Sequence, residues 1–404
     1  MTFVIVGAGL AGAKAAETLR AEGYDGRIVL IGAESERPYE RPPLSKGLLL
    51  GSAERESVYV HAADWYAEHN VELRTGTTVD AIDRDRQEVR TADGERLGYD
   101  KLLLATGARP RPLPVPGAGH GGVLYLRTLA DSDRIAAVAT EGAHLVVIGA
   151  GWIGLEVAAA ARQRGANVTV VESLDLPLQR VLGDEMAEVF AALHKAHGVD
   201  FRFRAQVTAL GPDHVELADG TAITADAVLV AVGVSPDTTL ADQSGLAVDN
   251  GVLVDASLRT EDPNIYAAGD LANVEHPLLG TRVRVEHWAN ALNAGPAAAR
   301  AMLGQPVSYD RLPYFYTDQY DLGMEYSGWA PPDQVDRVVV RGDRDKGEFV
   351  AFWTREGRVL AGMNVNVWDV TDDIQKLVRA GYAGTAVDLE RLADPSVPLG
   401  DLLG

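Results

Sequence analysis

Twice in this chain a short apolar run ends in a glycine-rich turn and continues as an alanine-rich stretch with helical spacing. The first copy runs from Phe3-Val4-Ile5-Val6 into Gly7-Ala8-Gly9-Leu10-Ala11-Gly12 and on to about Arg20, with the next apolar run at Arg27–Ile31. The second runs from His144–Ile148 into Gly149-Ala150-Gly151-Trp152-Ile153-Gly154, through Gln163, and then into Asn167–Val171. Strand, glycine turn, helix and strand within about thirty residues is the context that a lone glycine motif lacks. The first glycine permits the tight turn, the second lets the backbone approach a pyrophosphate, and the third lets the helix pack closely on the strand. The helix N-terminus then meets a negative phosphate. Either copy alone also suits a plain glycine turn of an α/β domain, but two complete copies favour two dinucleotide sites. Two dinucleotides in one chain normally mean a flavin beside a nicotinamide.

Glu172 closes the second strand of the second copy. An acid there accepts hydrogen bonds from a ribose 2′-hydroxyl and repels a 2′-phosphate, so NADH is expected over NADPH. Each copy is followed by short alternating runs and a strand that ends in a tight turn. These are Tyr99 to Leu104 leading into Ala105-Thr106-Gly107, and Ala225 to Val232 leading into Gly233. The proline-rich stretch from Arg109 to Pro116 reads as a linker. From about Leu312 the texture changes to three β-rich runs, at 334–341, 348–354 and 359–367, with an amphipathic helix pattern at 372–379. The expected fold class is α/β, with two Rossmann-like dinucleotide-binding domains and a small α+β C-terminal domain. The expected boundaries are 1–112 with 235–311 for a discontinuous FAD domain, 113–234 for an NAD domain, and 312–404 for the last.

Cysteine is absent, which excludes disulfide scaffolds, cysteine-ligated metal sites and any redox-active thiol. The formal net charge of −21 argues against nucleic acid and anionic membranes as partners. No apolar stretch reaches the eighteen or so residues that a membrane span needs. The N-terminus enters a strand at once, so the cytoplasm is the expected location. His194 and His197 have a spacing that metal sites use, but two ligands are too few, and no metal is expected.

The run Arg37-Pro38-Tyr39-Glu40-Arg41-Pro42-Pro43-Leu44-Ser45-Lys46 resembles the oxygenase-coupled NADH–ferredoxin reductases, which belong to the FAD-dependent pyridine nucleotide–disulfide oxidoreductase superfamily. Further matches are Ala105-Thr106-Gly107, Gly149 to Glu156, Ile265 to Asp270, Glu286-His287-Trp288 and Asn366 to Asp373. The resemblance implies FAD and NAD(H) as cofactors. By similarity, Gly269 and Asp270 hold the FAD ribityl segment, Arg41 and Arg127 contact FAD phosphate or its neighbours, and Val79 lies by the adenine. Glu34 is the candidate adenosine-ribose acid, and Glu286, His287, Trp288 and Tyr316 line the flavin. Three positions depart from the pattern: Ala33 stands where an acid is common, Tyr316 where a tryptophan is, and Asp237 where asparagine is usual.

Related disulfide reductases carry a Cys-x4-Cys pair in the first region. Here that stretch holds Arg41 and Lys46 and no thiol, so electrons must leave through the flavin itself. Lys46 and Glu156 are singled out as a pair that stabilises reduced flavin and positions nicotinamide; without the resemblance they read as a solvated helix charge and a surface acid. The resemblance implies a small [2Fe–2S] ferredoxin as partner, serving a haem-thiolate monooxygenase or a ring-hydroxylating dioxygenase. A rubredoxin reductase and an apoptosis-inducing-factor-like NADH sensor are the alternatives. Small ferredoxins are typically acidic, so steering requires a local basic patch, for which Arg282, Arg284, Arg300, Arg311, Lys376 and Arg379 are the candidates. A monomer or weak dimer is expected.

Overall fold

The run Phe3–Val6 is apolar throughout because its strand, Thr2–Val6, sits at the centre of a parallel sheet covered on both faces. The sheet order is Ile265–Ala267, Lys101–Leu104, Thr2–Val6, Arg27–Ile31, Val71–Arg74, with Val4 opposite Val29 and Leu102. A computed structural model of the chain describes residues 1–403, and these divide into two units. The first comprises Met1–Glu40, Glu56–Arg109 and Ser235–Phe315, and contains this sheet. The second comprises Arg41–Arg55, Pro110–Val234 and the described residues from Tyr316 onward.

In the first unit the helix Leu10–Ala21 turns an alanine face inward, and the helix Trp288–Met302 packs against it. That approach depends on Gly295, where a Cβ would lie 2.2 Å from the Ala11 carbonyl oxygen. An antiparallel meander, Val79–Asp83, Glu88–Thr91 and Arg96–Gly98, interrupts the parallel order.

The second unit repeats the plan with other residues. Its parallel sheet has the order Asp200–Arg202, Asn167–Val171, His144–Ile148, Ala227–Val230, Val123–Leu124. The helix Trp152–Gln163 follows the central strand, and Val207–Leu210, His214–Leu217 and Ala222–Thr224 form the corresponding meander. This unit also holds an antiparallel sheet, ordered Tyr314–Gln319, Leu322–Gly328, Arg358–Val365, Glu348–Arg355, Arg337–Asp343, whose first strand enters the unit at Tyr316. The helix Thr371–Tyr382 lies against it, burying Ile374, Leu377 and Val378.

Three of those five strands follow the β-rich runs of the sequence; the first two do not, because their connection hides its turn. Tyr320 carries the turn at φ 58°, where glycine or asparagine is the usual signal. Among the described residues no helix is long and apolar enough to cross a membrane.

Candidate active site

The two glycine turns have the same geometry, each within its own unit. Gly7 has φ +119°, and a Cβ on it would sit 2.1 Å from the Ala105 carbonyl oxygen. Gly149 has φ +100°, with Ala231 oxygen at 2.5 Å from the same hypothetical atom. The third glycines press on the first: a Cβ on Gly12 would lie 2.0 Å from the Gly7 oxygen, and one on Gly154 would lie 2.2 Å from the Gly149 oxygen. The middle glycines behave oppositely. A Cβ on Gly9 or Gly151 would meet nothing within 4 Å. Each is the N-cap of its helix, and neither supplies a side-chain cap to the first helical N–H groups. Open space over uncapped backbone donors at the positive end of a helix suits a pyrophosphate. The residues of both units therefore fit a dinucleotide.

In the first unit, Ala11 lies on the first turn of the glycine helix, and Gly269 packs on it: a Cβ on Gly269 would lie 3.2 Å from the Ala11 methyl. Asp270 follows in the short helix Gly269–Leu271, and its backbone oxygen accepts from Arg284 at 3.2 Å. Arg284 also pairs with Glu286 at 2.5 Å. His287 caps the helix that begins at Trp288, with its ring stacked on Phe315 at 4.5 Å. Burial pulls His287 down to about 4, opposed by the nearby Asp270 carboxylate. Glu34, two residues past the strand position that Glu172 holds in the second unit, accepts from the Tyr39 hydroxyl at 2.5 Å. Gly32 is the counterpart of Glu172, and a Cβ there would lie 2.6 Å from the Ala8 methyl. Val79 opens the first strand of the meander. Thr106 donates to the Asp237 carbonyl at 2.9 Å, and the Asp237 carboxylate pairs with Arg109 at 2.6 Å, a charge that asparagine would lack. Gly107 completes that turn at φ 72°.

In the second unit, Glu172 is bound to the glycine turn itself. Its carboxylate accepts from the Ala150 N–H at 2.8 Å and from the Leu174 N–H and Ser173 hydroxyl at 3.0 Å. Ile153 and Val232 are large apolar side chains left 38% and 37% exposed, an apolar surface on the unit that carries the second turn. Gly233 follows at φ 99°. Arg41 donates to the Arg127 carbonyl, tying the two arginines together.

Lys46 and Glu156 meet in the same unit, with Nζ 2.7 Å from Oε1. Their side chains are 16% and 7% exposed, so neither is the solvated charge of the bland alternative. Ser45 donates to the other carboxylate oxygen at 2.5 Å, and Thr317 donates to Oε1 at 2.7 Å. Lys46 Nζ also lies 5.4 Å from the centroid of the Tyr316 ring, a cation–π contact. Sequence reasoning missed Ser45 and Thr317 as partners; the only signals were their places next to Lys46 and Tyr316.

Among the cations considered for steering, Arg282 pairs with Glu275, Arg284 with Glu286, Arg300 with Glu22, and Lys376 with Asp373. His194 is buried in the helix Asp184–Ala196, while His197 lies just past its end.

Two glycine turns that each fit a pyrophosphate, beside a buried ion pair in a chain without a thiol, suit an oxidoreductase with two dinucleotides. The chain belongs to the pyridine nucleotide-disulphide oxidoreductase family, whose model matches residues 1–295, and a reductase C-terminal model matches residues 314–403. Members of that family depend on FAD and NAD(H). Over 402 residues the chain is 43% identical to the ferredoxin–NAD(+) reductase component of an anthranilate 1,2-dioxygenase system from Burkholderia cepacia, covering 98% of each chain. It is 36% identical over 372 residues to a rubredoxin–NAD(+) reductase of Pseudomonas putida, covering 91% of this chain and 96% of the relative. The crystal structure of a covalent putidaredoxin reductase–putidaredoxin complex matches with a TM-score of 0.93 at 38% identity, over 99% of this chain and 97% of that one.

Proposed function

We propose that the chain is an NADH-dependent ferredoxin reductase that carries electrons from NADH through FAD to a [2Fe–2S] ferredoxin of an oxygenase system. The observation that carries this is the complete absence of cysteine in a member of a disulphide oxidoreductase family. FAD, when bound, accepts a hydride and returns its electrons one at a time; with no thiol to receive them as a pair, a one-electron carrier is the outlet. The names of the relatives support a ferredoxin first and a rubredoxin second.

In this reading Gly7, Gly9 and Gly12 cradle the FAD pyrophosphate, with Glu34 on the adenosine ribose, Val79 by the adenine and Asp270 on the ribityl chain. Ala105, Thr106, Gly107, Glu286, His287 and Trp288 complete the flavin environment of the first unit; Arg41, Arg127 and Tyr316 are added by the family resemblance alone. Gly149, Gly151, Ile153, Gly154, Glu172 and Gly233 bind NADH. Lys46 supplies positive charge where reduced flavin is anionic, and Glu156 holds the lysine and orients the nicotinamide. The domain boundaries follow the FAD, NAD and C-terminal division given above, and the protein acts as a monomer or weak dimer. The local ion pairs weaken steering by charge, so the ferredoxin KM rises only modestly with salt.

The test is NADH-driven reduction of cytochrome c with and without a [2Fe–2S] ferredoxin or a rubredoxin. Strong stimulation by ferredoxin is expected. Stimulation by rubredoxin alone moves the assignment to the second carrier, and stimulation by neither ends it.

A further inference from the structure

A buried polar chain ends on the Glu156 oxygen that Lys46 also contacts, and all of it lies in the second unit. His194 Nε2 is 2.7 Å from Gln319 Oε1, Gln319 Nε2 is 3.1 Å from Thr317 Oγ1, and Thr317 Oγ1 is 2.7 Å from Glu156 Oε1. His194, Gln319 and Thr317 are each at most 1% exposed. Beyond His194, the Tyr320 hydroxyl is 3.5 Å from Nδ1, and the His197 ring stacks on Tyr320 at 3.7 Å.

The direction of every proton in this chain follows from its end. A carboxylate only accepts, so Thr317 spends its single hydroxyl proton on Glu156. Its oxygen must then be the acceptor for the adjacent amide, which fixes Gln319 with its NH2 group toward Thr317. The Gln319 oxygen therefore faces His194, which must carry its proton on Nε2. A flipped amide would demand the Thr317 proton for the Gln319 oxygen and strip a donor from Glu156. Only one arrangement satisfies all four groups, and an unsatisfied buried polar atom costs about 1–3 kcal/mol. The strand sets this up: Thr317 and Gln319 are two residues apart, so both side chains leave the same face.

We propose that Thr317 and Gln319, anchored by His194, are positioning residues that hold the Glu156 carboxylate in the orientation in which it receives Lys46. The proposal rests on the reading of Lys46 and Glu156 given above. With Ser45 on the second oxygen, three donors from two segments, Ser45-Lys46 and Thr317, fix the carboxylate, and the amide–imidazole pair removes the freedom of Thr317. A purely structural role would pin the helix Asp184–Ala196 to the strand Tyr314–Gln319 and leave the chemistry of Lys46 unaffected.

The test compares Thr317→Val, Thr317→Ser, Gln319→Met, Glu156→Gln and Lys46→Met as FAD-loaded full-length protein. Thr317→Val is expected to slow flavin reduction at saturating NADH roughly tenfold, the order expected for one lost hydrogen bond at the reacting geometry. NADH KM should stay within about twofold, because orientation and not ground-state binding is lost. Thr317→Ser keeps the hydroxyl and should restore the rate, and Gln319→Met should fall between. The flavin midpoint potential should shift in the same sense for Thr317→Val as for Lys46→Met. Independently of activity, histidine-selective 15N spectra of the apoprotein should show His194 neutral with its proton on Nε2, and Glu156→Gln should perturb that signal through the chain. Should Thr317→Val fail to fold, Gln319→Met and the spectra carry the test. Wild-type rates and potentials in Thr317→Val and Gln319→Met, beside strong losses in Glu156→Gln and Lys46→Met, overturn the proposal alone. Wild-type behaviour in all four overturns the reading of the ion pair with it.

Discussion

Replacing Gly9 by alanine should leave the protein folded and cost it FAD. Gly9 has φ −86° and ψ −170°, which alanine adopts without strain, and its Cβ would meet no protein atom within 4 Å. The methyl projects into the open space over the uncapped helix N-terminus, where the pyrophosphate is expected. Overpacking a filled site by one methyl costs about 1–3 kcal/mol, which corresponds to roughly a 5- to 150-fold weaker Kd. Gly12→Ala is the contrasting change: its Cβ would lie 2.0 Å from the Gly7 oxygen and 3.2 Å from Leu30 Cδ1, so the apoprotein itself should be destabilised. Gly151→Ala carries the same logic to the second turn and should raise NADH KM while leaving FAD binding intact. The assay is FAD titration of apoprotein by flavin fluorescence, alongside urea unfolding of each apo variant. Unimpaired FAD binding by Gly9→Ala, or an apo stability loss as large as that of Gly12→Ala, refutes the assignment of the open space to the pyrophosphate.

Glu172→Gln should reduce the NADH-over-NADPH ratio of kcat/KM by roughly tenfold, since one charge-assisted hydrogen bond is worth about 1.5–3 kcal/mol; an unchanged ratio would place selectivity elsewhere. The same variant should lower the apo unfolding midpoint, because Glu172 also accepts from Ala150 and Leu174. Burial holds His194 near 4 against its ordinary 6.5, with Gln319 opposing the shift and His197 adding to it. The unfolded chain then binds the proton first, so stability is full above pH 6.5 and falls toward pH 4 by about 1.4 kcal/mol per unit. His287 contributes in the same direction in the first unit. His194→Gln should flatten part of the slope measured by urea unfolding between those pH values, and an unaltered slope would show that other groups govern it.

The glycine turns were legible because their chemistry is local: strand, turn and helix lie within a few dozen residues, and backbone sterics dictate the glycines. Glu172 was legible for the same reason, although its hydrogen bond to the turn was not. The strands Tyr314–Gln319 and Leu322–Gly328 are not legible in the sequence because the left-handed residue of their turn is Tyr320, where glycine or asparagine would be the signal. The surroundings of Glu156 were beyond reach, since Ser45 lies 111 residues before it and Thr317 161 residues after. No periodicity encodes such pairings; they follow from how sheets and helices stack. The cations proposed for steering illustrate the same limit, because their partners Glu22 and Glu275 are fixed by packing and strand register.

In this protein two electrons enter together as hydride and leave singly, without a thiol on the way. Anaerobic stopped-flow mixing of the FAD-loaded protein with limiting NADH and excess [2Fe–2S] ferredoxin tests it most directly. The flavin should bleach as NADH reduces it, then recover as two equivalents of ferredoxin are reduced for each NADH consumed. Flavin that stays reduced beside oxidised ferredoxin, or ferredoxin reduced without prior flavin bleaching, would contradict it.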